Sequence, residues 1–161
     1  MKLATLLLSV ACVLTTAPAQ AQSRYSYSTD ASEVTDSQTG LVWRRCSEGM
    51  AWSGSTCTGV ATTYSHEAAL AHAKTQTGWR LPNVKELASI ADMSRINPAI
   101  DPTAFPATSS GWYWSSSPKV GDSRYAWVVG FDYGKVFGGN RNGRINTGGT
   151  VDYYVAVRLV R

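Results

Sequence analysis

The chain has 161 residues, the length of a single domain, and a formal net charge of +4 to which Lys2 contributes one unit. So mild a basic bias permits attraction to anionic partners without demanding it, and it leaves nucleic-acid binding without its usual electrostatic footprint.

Residues 1–21 carry Lys2, an apolar run from Leu3 to Val13 and a small-x-small end at Ala19-Gln20-Ala21, the layout of a secretory signal peptide. Thr15, Thr16 and Pro18 break the run before it reaches the ~18 apolar residues that a bilayer span requires. Cleavage is expected after Ala21 and removes Cys12. Ser9 stands where a lipoprotein site would want leucine. The chain is therefore expected to be exported, to the periplasm or beyond the cell, and no later segment is apolar enough to re-enter a membrane.

Residues 22–35, rich in Ser, Tyr and Thr, read as an N-terminal extension or a first edge strand. The turn-forming cluster at 35–40 leads into a short strand over 41–45. Cys46 and Cys57 follow, and in an exported protein such an isolated pair reads as a disulfide closing a loop, worth about 3 kcal/mol. The enclosed residues 47–56 show little regular pattern, so the bridge is expected to stand in for a core the loop lacks.

An alanine-rich run predicts a first helix over 65–75, ended by Gly78. Asn83 is placed to cap a second helix, with Glu86 completing a capping box. Val84, Leu87, Ala88 and Ala91 share one face of that helix, which is expected to end near Met93. Asn97-Pro98 and Asp101-Pro102 mark an irregular connection.

Strand signals dominate after Gly111. Alternation over 125–131 puts Tyr125, Trp127, Val129 and Phe131 on one face and Ala126, Val128 and Gly130 on the other. A turn at 132–135 leads into Val136-Phe137, and 138–149 reads as a long glycine- and asparagine-rich loop. A terminal strand over 153–160 sends Val155, Val157 and Leu159 one way and Tyr154, Ala156, Arg158 and Val160 the other. Two early helices and a strand-rich second half argue for an α+β fold.

These segments, in this order, resemble a known family. They include Thr39-Gly40-Leu41-Val42-Trp43, Gly54-Ser55-Thr56-Cys57, Gly78-Trp79-Arg80-Leu81-Pro82-Asn83, Tyr113-Trp114-Ser115-Ser116-Ser117, Ala126-Trp127 and the closing Val157-Arg158-Leu159-Val160-Arg161. The family is the C-terminal domain of the Legionella collagen-like (Lcl) adhesin and its bacterial relatives, and the resemblance covers residues 36–161. It implies a C-type-lectin-like α+β fold with two helices and a small antiparallel sheet. For the adhesin itself it implies binding of sulfated polysaccharides through a basic surface, as a trimer. The sequence shows no collagen-like Gly-x-y repeat.

The residues expected to meet a ligand lie on the connections of the late strands: Arg124, Tyr133, Lys135, Arg141, Asn142, Arg144 and Asn146. Guanidinium forks grip sulfate, carboxylate or phosphate, aromatic faces stack on sugar rings, and amides meet hydroxyls. The expected partner is an anionic glycan or a cell-surface protein. Trp43, Trp79, Trp112, Trp114 and Trp127 are expected to build the core, with Trp112 the exception. Arg80 and Arg158, set among apolar residues, are expected to pair with Glu86 or Asp92.

No metal or cofactor is expected. His66-Glu67 begins like a zinc-protease helix, but Leu70 stands where the second ligand would be, and His66 and His72 face different ways. Asp122, Asp132 and Asp152 are too scattered for calcium. Catalysis is not expected, because Ser115–Ser117 lack a nearby base. A formylglycine-generating enzyme, the rival within the same fold class, needs a late reactive cysteine pair, whereas these cysteines lie early. The alternative to glycan binding is a protein-binding component of envelope or secreted assembly.

Overall fold

A computed structural model describes residues 23–143 and 155–161. The expected leader at 1–21, residues 144–149 of the expected 138–149 loop and the start of the terminal strand lie outside the described residues.

The chain opens on a meander. Strand β1 (Tyr25–Tyr27) pairs antiparallel with β2 (Glu33–Asp36), and β2 pairs antiparallel with β3 (Val42–Arg44). Residues 25–36 thus take the edge-strand alternative, and Tyr25 and Val34 are buried. Asp36 governs the turn that follows: its carboxylate takes the Gln38 amide and the Thr39 hydroxyl while Arg24, just before β1, grips it. The Cys46–Cys57 disulfide is formed, with Cα atoms 5.4 Å apart. Its loop is more regular than expected, because β4 (Ala51–Trp52) and β5 (Cys57–Thr58) pair as a small ribbon.

Helix α1 (His66–Thr75) starts at Ser65, whose side chain accepts from the Ala68 amide. Helix α2 (Val84–Ser89) has the anticipated capping box between Asn83 and Glu86. It ends earlier than Met93, because the backbone turns from helix to bridge: the Ala91 amide bonds Ala88, then Asp92 donates to the Ala99 carbonyl and Ala91 pairs with Ile100.

The second sheet runs β6 (Trp112–Pro118), β7 (Tyr125–Gly130) and β8 (Lys135–Asn140), antiparallel throughout. The expected loop from Gly138 is corrected here: Gly138, Gly139 and Asn140 continue β8 opposite Trp127, Ala126 and Tyr125. Glycine at 139 is a packing requirement, since a Cβ there would sit 3.1 Å from the Trp114 ring and 3.0 Å from a Val128 methyl. Gly139 thus admits the fully buried Trp114 indole beneath the strand.

The C-terminal residues 155–161 form bridges to Tyr64, Tyr113, Trp43 and Arg80 in place of the continuous strand expected. Arg161 and Val42 exchange both backbone bonds. The expected alternation nevertheless holds in the packing. Val155, Val157 and Leu159 enter the core under α1 with Trp114, Ala126 and Val128. Ala156 and Val160 enter the core under α2 with Trp43, Phe105, Tyr113, Val129 and Phe131. The terminal segment is the seam between the two cores, and burying apolar side chains on both sides is what closes the fold.

Arg158 sits on this seam without solvent exposure, and the anticipated carboxylate partner is absent among the described residues. Its guanidinium donates instead to the Arg44 and Arg45 carbonyls, to Ser47 and to Thr108, 4.9 Å from the Phe105 ring centroid. Arg80 does pair with Glu86, by two bonds of 2.7 and 2.8 Å.

Among the tryptophans, Trp43 and Trp114 are fully buried, while Trp52, Trp79, Trp112 and Trp127 are partly exposed. Trp112 is half-covered by stacking on Phe137 at 4.2 Å. No helix among the described residues is long and apolar enough to cross a membrane.

Candidate functional site

The β7–β8 pair has two ends, and the expected ligand residues are divided between them. At one end Tyr125 opposes Asn140, and the chain leaves β8 through a tight turn. The Asn140 side chain accepts the Asn142 amide at 3.1 Å, and the Asn140 carbonyl accepts the Gly143 amide at 2.9 Å. This turn is tied on both sides: the Arg141 amide donates to the Arg124 carbonyl, and the Arg141 carbonyl accepts the His66 amide at the start of α1. Gly143 has φ +80°, and a Cβ there would sit 3.3 Å from the Tyr64 carbonyl oxygen, so the turn and the start of α1 leave little room for a side chain.

The result is a cavity of about 600 Å³ between the first turn of α1 and the sheet end, lined by Ser65, His66, Glu67 and Leu70 from the helix side, Ser123 and Arg124 from the β6–β7 connection, and Asn140, Arg141 and Asn142 from the turn. Arg124, Arg141 and Asn142 are therefore brought together. Tyr133 and Lys135 stand at the opposite end of the hairpin, roughly 17 Å away for six residues of strand, where Lys135 lies over the Tyr133 ring at 5.8 Å. Arg144 and Asn146 lie outside the described residues.

The cations of the cavity differ in availability. Arg124 is bound to Asp122 through two bonds of 3.0 and 2.9 Å, and that contact holds the Asp122 carboxyl at about 2. A ligand anion must compete with Asp122 for it. Arg141 has no carboxylate within ion-pair distance among the described residues. Its Nε is buried without a hydrogen-bond partner there. Glu67 adds a negative charge at the helix start, so the cavity is of mixed sign. Its chemistry suits a ligand that both donates and accepts hydrogen bonds and carries an acidic group, more than a dense polyanion.

His66 forms part of the cavity wall. Its Nε2 lies 3.1 Å from the Ser115 carbonyl, which can only accept, so the proton resides on Nε2 and Nδ1 is bare. Burial pushes its pKa down, and nearby Arg141 adds to this against the Ser115 bond, so the ring is neutral at physiological pH. His72 points elsewhere, to Glu48 at 2.7 Å. No group of three or more His, Cys, Asp or Glu side chains able to hold a metal occurs among the described residues.

The sequence reading did not place Ser123, Glu67 or Leu70 in a site. Ser65 was readable as a helix start, but nothing local reveals that this start abuts the Arg141 turn, because the contact spans the whole sheet.

The model of the Lcl C-terminal domain family matches residues 32–161 of the chain. No curated protein and no solved structure matches it.

Proposed function

Because the chain belongs to the Lcl C-terminal domain family, we propose that it is an exported, non-catalytic binding module of C-type-lectin-like fold that takes an acidic glycan into the cavity at the α1 end of the second sheet. The observation that carries this reading is Arg141, a cation without a carboxylate partner among the described residues, set between Asn140 and Asn142 in that cavity. Its backbone is fixed by bonds to Arg124 and His66, so its position is set before a ligand arrives. Family membership supports a role at the cell surface or outside the cell. The lectin-like fold is supported by closure of the chain on itself, with Arg161 paired to Val42, two helices and one disulfide.

The enzyme alternative loses its chemistry, since Cys46 and Cys57 are joined to each other. A protein-binding role draws on a separate observation: Met93, Ile96 and Tyr133 are exposed apolar side chains, 80%, 66% and 54% accessible. An acidic-glycan array with the intact mature protein separates the two. Binding of acid-bearing sugars that weakens in salt supports the glycan reading, and a chain that binds none while co-purifying with a protein partner supports the other.

A further inference from the structure

A second groove, of about 300 Å³, shares no lining residue with the Arg141 cavity and lies between the disulfide ribbon and the segment that precedes Arg80. Two indoles, Trp52 and Trp79, line it, with Ser32, Glu33 and Arg44 contributing polar groups. We infer that this groove is an independent binding site for a single uncharged pyranose ring. It does not depend on the glycan reading of the sheet-end cavity.

Both indoles are fixed by neighbouring groups. Trp52 Nε1 donates to the Asp30 carbonyl at 2.9 Å, and the Arg45 guanidinium lies 4.2 Å from its ring centroid. Trp52 is paired with Cys57, whose bridge to Cys46 ties the ribbon to the end of β3. Trp79 is gripped by the guanidinium groups of Arg44 and Arg161, at 5.0 and 4.8 Å. Both side chains remain partly exposed and line the groove. Aromatic walls fixed in advance cost a ligand little ordering entropy and offer the apolar face that a sugar ring stacks upon.

The class of ligand follows from the charges. Glu33 is engaged by Arg161 at 2.6 Å, and Arg44 by Glu48 at 2.9 Å and Gln76 at 3.1 Å. Each charge is matched within the protein, so an ionic ligand would find no net opposite charge. Hydroxyl groups, which both donate and accept, can use the remaining lone pairs of Glu33, the remaining N–H groups of Arg44 and the Ser32 hydroxyl. A volume at the lower limit of ligand pockets, about 300 Å³, fits one ring and not a stretch of polymer. The disulfide then has a positioning role, because it ties the ribbon that carries Trp52 to the chain just after β3.

The test titrates the intact mature protein with neutral methyl glycosides of glucose, galactose, mannose and N-acetylglucosamine, read by tryptophan fluorescence and saturation-transfer NMR. At least one glycoside should bind saturably, be insensitive to high salt, and lose roughly tenfold or more in affinity in both Trp52→Ala and Trp79→Ala. Arg141→Ala should leave this binding unchanged, which separates it from the acidic-glycan site. Glu33→Gln, which keeps the groove's shape, guards against a folding artefact and should weaken binding with an unaltered melting curve. No saturable signal from any of the glycosides, binding that survives both tryptophan substitutions, or binding lost with Arg141 would overturn the proposal.

Discussion

Arg158 donates to the Thr108 hydroxyl at 2.7 Å from a position with no solvent exposure, and this contact joins the C-terminal seam to the connection between α2 and β6. The same guanidinium satisfies the carbonyls of Arg44 and Arg45. Burial pushes its pKa down, opposed by Tyr113 and Glu48, yet an arginine keeps its charge in a protein. Carbonyl dipoles, hydroxyls and the Phe105 face take the place of a counter-ion.

Arg158→Ala should therefore be among the most damaging single changes in the chain. It removes the guanidinium that donates to two carbonyls and two hydroxyls and opens a cavity between the cores. A loss of about 3–5 kcal/mol is expected in urea unfolding. A loss below ~1 kcal/mol would show that water replaces the guanidinium without penalty.

Paired removal of the disulfide, Cys46→Ala with Cys57→Ala, should cost about 3 kcal/mol by loop-closure entropy. The loss should appear in the denaturation midpoint with the sheet signature retained in circular dichroism, because both cores lie outside the bridged loop.

Asn83→Ala should lower stability by about 1 kcal/mol, since the Asn83 side chain serves the amides of both Lys85 and Glu86. Asn83→Ser should restore most of it. Equal losses in both variants would place the effect outside the cap.

His66 gives stability a pH dependence of known sign. Its folded pKa lies below the ordinary value of 6.5, mainly through burial, so the unfolded chain binds the proton first. Stability from this group is whole above 6.5 and falls as pH drops from there toward the folded value. His66→Gln should flatten that limb of a denaturation-midpoint profile, and an unchanged limb would assign it to other groups. At lower pH Asp36 adds a second limb. Burial alone would raise its pKa, but the Arg24 bond, the Gln38 amide and the Thr39 hydroxyl together hold it below 3.8. That contribution is present above 3.8 and drains as pH falls through the folded value.

What was legible in the chain was local. The Asn83 cap with its Glu86 capping box and the Cys46–Cys57 pair are each set by residues close in the chain, and each is found as expected. The alternation of 155–160 was readable too, because period-two patterning survives even where the strand becomes a series of bridges. What escaped was tertiary. Gly138 and Gly139 carry loop propensity, and pairing with Trp127 and Ala126 overrides it, with Trp114 occupying the space a side chain at 139 would need. Arg158 looked like half of an ion pair because backbone carbonyls leave no trace in a sequence. The ligand residues formed one group in the chain, whereas a six-strand-residue hairpin sets Tyr133 and Lys135 at one end and Arg141 at the other.

That division supplies the most direct test of the account. Retention of the mature protein on an immobilised acidic oligosaccharide, at low and high salt, should fall about tenfold in affinity for Arg141→Ala and change little for Lys135→Ala, with salt weakening the parent protein. Arg141→Ala retained as tightly as the parent, or an equal loss from Lys135→Ala, would contradict the assignment of binding to the α1 end of the sheet.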